Sequence, residues 1–177
     1  VTANLKDTTL MDTDKYRTGL KRLTAAIIDW IVFLPLVLIE QWLFKNTESL
    51  SVVIGWTIFT AFLPLMYFVL LHYKYGQTIG KWVTGIKVLD VSETKSITLK
   101  QSVLRDIFYL AIQIIGLLYF TFLVVKTDEA EYLYNDYRNF ADNPILWWTI
   151  IELVTMLTNQ KRRALHDFIA KTVVIRV

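Results

Sequence analysis

The chain has 177 residues, 54% of them hydrophobic and 14% aromatic, with mean hydropathy +0.41 and a net charge of +3. It is too apolar for an ordinary soluble domain and short enough for one domain. It has no cysteine, which excludes disulfides, thiol nucleophiles and cysteine-based metal sites.

Residues 1–15 read as a polar tail with no apolar pattern, and residues 16–177 as one membrane domain. The start of the chain lacks the basic-then-apolar run and small-residue cleavage site of a signal peptide, so the first apolar block is expected to be a retained span. The apolar residues fall in blocks near the ~20 residues that cross a hydrocarbon layer of about 30 Å. Four spans are predicted, over residues 21–43, 50–72, 102–125 and 144–159. Pro35 and Pro64 fall inside the first two, where each frees an upstream carbonyl. Thr98-Leu99-Lys100-Gln101 fits a capping box, so the third helix is expected to begin near residue 99. The fourth span is the shortest and carries Glu152. Residues 85–91 and 172–177 are short, β-branched and alternating, which predicts a small β-ribbon. The fold class is therefore an all-α membrane protein, a four-helix bundle with a cytoplasmic β-ribbon.

Charge sets the expected orientation. Lys6, Lys15, Arg17, Lys21 and Arg22 precede or open the first span. Lys74, Lys81, Lys87, Lys95, Lys100 and Arg105 lie between spans two and three or at the start of the third, and Lys161, Arg162, Arg163, Lys171 and Arg176 follow the fourth. The opposite connections hold only Lys45, Lys126 and Arg138. Both termini are then cytoplasmic by the positive-inside rule. The basic patches suit anionic lipid at the cytoplasmic face rather than nucleic acid. Residues 126–143 read as an outer loop, acidic at Asp128, Glu129, Glu131, Asp136 and Asp142 and rich in tyrosine. That loop suits a belt at the membrane surface or a docking site for a partner.

Asp29 lies about two turns inside the first span, where an ionisable group costs roughly 2.5–3.5 kcal/mol or more and needs a partner or a purpose. On an ideal helix Arg22, Asp29 and Glu40 fall within about 20° of one another, so they line one face turned to the bundle or to a wet cavity. Glu152 sits at a depth similar to Asp29, and the two carboxylates are candidates to face each other. Asp29, Glu152 and Glu40 are the candidate ion or proton ligands; helix pinning is the alternative role for each. His72 and His166 lack metal-ligand spacing, no serine stands in a nucleophile elbow, and no glycine loop matches a phosphate cradle, so neither a metal, a cofactor nor an enzyme activity is expected. Gly76-Gln77-Thr78-Ile79-Gly80-Lys81-Trp82 reads as a tight interfacial turn of structural purpose.

Three ordered motifs resemble the RDD family of membrane proteins. The first is Lys21-Arg22 followed by Asp29 inside the first span. The second is the glycine-bearing stretch from Gly76 to Val88. The third is Lys161-Arg162-Arg163 leading to His166-Asp167 and the apolar strand beyond it. The resemblance implies a triad of Arg22, Asp29 and Asp167, with Arg22 and Asp167 as a gate or a structural clamp, and a bacterial inner (cytoplasmic) membrane. The long acidic stretch before the fourth span departs from the family pattern, and Glu40 and Glu152 stand outside it. The family resemblance implies either ligand or cation/proton transport, or an accessory role in a larger assembly. The first expectation is a small-cation or proton-coupled transporter using Asp29, helped by homo-oligomerisation. The second is a non-transporting scaffold or accessory subunit with a membrane-protein partner. A wet route past Asp29 favours transport; a sealed, paired carboxylate favours structure.

Overall fold

The computed structural model describes residues 14–47, 49–126 and 130–177. In chain order the elements are α1 (Gly19–Asn46), α2 (Leu50–Tyr75), α3 (Ile79–Val83), β1 (Ile86–Asp90), α4 (Leu99–Arg105), α5 (Ile107–Lys126), α6 (Ala130–Leu157), α7 (Leu165–Ile169) and β2 (Thr172–Arg176). Among the described residues three helices are long and apolar enough to cross a membrane: α1, α2 and α5. Pro35 and Pro64 lie within α1 and α2, each of which continues past its proline.

Two expectations are corrected. The predicted third span is two helices: the capping box of Thr98 and Gln101 starts α4, which stops at Arg105, and α5 begins at Ile107. The predicted outer loop is largely helix. Residues 130–143 form the first half of the 28-residue α6, which runs on through the predicted fourth span. Alternation of charge and tyrosine hid a helix whose support comes from packing on α5 rather than from its own apolar pattern. Asp128 and Glu129 lie outside the described residues, as does the tail before residue 14.

Among the described residues the apolar core has two centres at opposite ends of α1. Ala25 packs with Ile86, Val88, Ile97 and Val174 near its start. Phe44 packs with Val53, Phe120 and Leu123 near its end, about 28 Å away along the helix. Much of the helical surface between is apolar and exposed, for example Ile27, Trp30, Ile31 and Leu38 on α1. Such a surface suits lipid rather than water. α5 and α6 run antiparallel, since Phe108 stacks on Trp148 at 4.1 Å and Tyr119 on Phe140 at 5.0 Å.

The predicted ribbon forms. β1 and β2 pair antiparallel, Ile86 with Arg176 through Asp90 with Thr172. Lys15, the last residue of the predicted tail, joins this edge, its carbonyl accepting from Arg176 N at 3.0 Å. Gly76 ends α2 in the left-handed region (φ 69°), with its N–H on the His72 carbonyl. A Cβ there would stand 2.7 Å from the Val88 carbonyl, so only glycine lets the chain turn so close to β1. That turn delivers α3 to the side of α1.

Candidate functional site

Two buried carboxylates organise the polar interior. Asp29 is 2% exposed. Its Oδ1 accepts from Tyr67 Oη and from Gly80 N, both at 2.8 Å, and its Oδ2 accepts from Thr78 Oγ1 at 2.6 Å. Tyr67 Oη in turn accepts from Ile79 N at 3.1 Å, and Thr78 Oγ1 from Lys81 N at 3.3 Å. The N-terminus of α3, a segment too short to be stable alone, is therefore tied to α1 through one carboxylate and two hydroxyls. Orphan N–H groups at a helix start favour an anion, and here a neighbouring helix supplies it. The approach requires glycine at position 80, because a Cβ would lie 2.1 Å from the Ala25 carbonyl.

Asp167 is fully buried and accepts four donors. Arg105 Nη1 and Thr172 Oγ1 (3.1 Å) meet Oδ1, while Arg22 Nη1 (2.7 Å) and Ala164 N (3.0 Å) meet Oδ2. Burial alone would push this carboxyl up. The Arg22 and Arg105 guanidiniums outweigh it and hold Asp167 well below the usual carboxylate range. Arg22 is steered by Thr18 Oγ1, which accepts from Nε at 3.1 Å. Arg163 closes the group, donating to the carbonyls of Thr172 and Asp167 at 2.9 Å each.

A short relay extends from this node into α6. Arg105 Nη2 lies 2.9 Å from His166 Nε2, and His166 Nδ1 meets Glu152. A guanidinium can only donate, so Nε2 is the acceptor and the ring proton sits on Nδ1, donated to Glu152. Among the described residues, Arg22 Nη2, Arg105 Nε, both ring nitrogens of His72 and Asp106 Oδ2 are buried with no hydrogen-bond partner. Groups of this kind are where a polar interior takes up water.

On the cytoplasm-expected end a third carboxylate, Glu93, joins three segments. It accepts from Tyr16 and Lys161 at 2.5 Å each and pairs with Lys15 at 2.9 Å. Partial burial opposes its charge, but Lys161, Tyr16 and Lys15 prevail and bring its pKa down to about 2.

The predicted residues therefore separate. Arg22 and Asp167 meet directly, 145 positions apart in sequence. Arg22, Asp29 and Glu40 do share an inward face, since Glu40 accepts from Trp56 Nε1 at 3.1 Å. Asp29 and Glu152 have different partners, one on α3 and the other on α7. In the sequence Arg105 is one of several basic residues that set the orientation, yet it is 4% exposed and is the second cation on Asp167. Its signal was its place where the capped helix meets the apolar run. Tyr67, Thr78 and Gly80 carried no signal as partners of Asp29, apart from the two glycines flanking Thr78.

The sequence model of the RDD family matches residues 16–171. No curated protein and no solved structure matches the chain.

Proposed function

The chain belongs to the RDD family, and from that premise we propose that it works as a non-transporting membrane scaffold or accessory subunit, in which Asp29 and Asp167 are locks. One observation carries this reading: Asp29 is 2% exposed, with three donors on its two oxygens. A cation site presents free lone pairs to a cavity shared with other acceptors. Here hydrogen-bond donors occupy that space. Asp167 is likewise consumed by two guanidiniums and two neutral donors. In this reading α6 completes a fourth crossing, both termini and the ribbon face the cytoplasm of a bacterial inner membrane, and basic side chains meet anionic lipid.

A second reading, proton-coupled cation transport, draws on the unpartnered groups of His72 and Asp106 next to Arg105. Hydrated, they would offer a route that bypasses Asp29. The test is flux. Purified protein in liposomes with a trapped pH dye receives Na⁺, K⁺ or Li⁺. The scaffold reading expects no pH change beyond that of empty liposomes. A cation-driven change in wild type, lost in His72→Gln, replaces it with the transport reading.

A further inference from the structure

Along the exposed side of α6, Asn139, Asn143, Leu146, Ile150, Leu153 and Leu157 follow one another at intervals of four, three, four, three and four residues. All six are exposed. The opposite side of the helix faces the bundle: Trp148 stacks on Phe108 and is 9% exposed, Glu152 meets His166, and Met156 is 9% exposed. α6 thus has one packed face and, among the described residues, one a/d seam without a partner.

Seam spacing alone does not single out this helix, because any lipid-facing stripe repeats every three or four residues. α5 shows the contrast. Its exposed stripe is Ile115, Leu118, Phe122 and Val125, apolar throughout, as lipid requires. The α6 stripe carries two amides, and the ring stacks fix their depth. Phe140 is level with Tyr119 and Trp148 with Phe108. Asn143 is then level with the middle of the 20-residue α5, more than about 10 Å from either end. Asn139 is about 6 Å further out along α6. Asp142, on the same turn, is exposed as well. The seam rests on the reading of α6 as the fourth crossing: an amide at that depth then has no water to bond with and draws helices together through interhelical hydrogen bonds.

We propose that this seam is the contact between two copies of the chain, with α6 packed against α6 across a two-fold axis. The amides select that occupant. Each asparagine carries both donors and an acceptor, so it is complementary to itself. Two copies inserted the same way set their α6 helices parallel, with Asn139 opposite Asn139 and Asn143 opposite Asn143. A different helix would have to present amides at the same two depths. Below them Leu146, Ile150, Leu153 and Leu157 supply the interlocking apolar layers.

The natural absence of cysteine makes the test direct. Leu146→Cys on the seam and Leu118→Cys on α5 are oxidised separately in membranes and run on a non-reducing gel. The expected result is a band at twice the monomer mass from Leu146→Cys and little from Leu118→Cys. Adding Asn139→Leu and Asn143→Leu to Leu146→Cys should cut the dimer yield about tenfold. Its thermal unfolding in detergent should stay that of wild type, since both positions are exposed. Equal yields at positions 118 and 146, no dimer, an adduct of another mass, or a yield unchanged by removing the amides each overturns the proposal.

Discussion

Asp29 and Asp167 are the same side chain in the same protein, both buried, yet they are held in different ways. Asp29 is satisfied by three neutral donors, and two of those belong to the segment it positions. Asp167 is satisfied by two guanidiniums from α1 and α4 together with two neutral donors. The difference is one of mechanism. Asp29 acts by hydrogen bonding, as a cap supplied from outside the helix it caps. Asp167 acts by charge, as a counter-ion that lets two arginines stay inside. Breaking each should have a different cost.

The largest effect is expected at Asp167. Asp167→Asn keeps the shape but strands two buried cations, and removing one partner of a buried ion group costs about 3–5 kcal/mol. Unfolding in detergent, followed by circular dichroism, should show that loss or the absence of folded protein. Next is Gly80→Ala. The added methyl meets the Ala25 carbonyl, so α3 must leave α1, at a cost of about 3 kcal/mol. Asp29→Asn should cost less, about 1–2 kcal/mol, because the amide oxygen still serves Gly80 N and a hydroxyl can turn to accept from the new NH₂. An equal loss at 29 and 167 would erase the distinction between them.

The smallest effect sharpens the same comparison at the surface. Glu93 is held at about 2 by Lys161, Tyr16 and Lys15, below the 4.5 of an ordinary glutamate. A depressed pKa stabilises the fold in full above the unfolded value and loses that stabilisation as pH falls through the folded one. Solvent screens most of this shift at the protein surface, so stability should drop by about 1 kcal/mol between pH 5 and pH 2. Glu93→Gln should flatten the unfolding curve in that window. Asp167, held low as well, adds to the acid loss with the same sign.

What the sequence made legible follows from periodicity and charge. The three long apolar helices, the capping box at Thr98, the paired strands and the meeting of Arg22 with Asp167 were all available from pattern or resemblance. The inward face shared by Arg22, Asp29 and Glu40 was a matter of helical geometry. The partners of Asp29 were not, because Tyr67, Thr78 and Gly80 are brought to it by a glycine turn whose tertiary target leaves no periodic trace. Arg105 was masked by its company, one basic residue among several in a basic stretch. Residues 130–143 misled for the opposite reason: their polarity suggested a loop, while packing against Tyr119 and its neighbours on α5 makes them helix.

The most direct test of Asp29 as a lock is its response to cations. Thermal unfolding of wild type and Asp29→Asn is measured in rising Na⁺, K⁺ or Li⁺, with choline at matched ionic strength as the control. A ligand bound to the folded state raises the melting temperature with its concentration. The account predicts that no cation stabilises wild type beyond choline, and that Asp29→Asn melts lower by the same amount throughout. A cation that raises the wild-type melting temperature above the choline control, with no such rise in Asp29→Asn, would contradict it and make Asp29 an ion ligand.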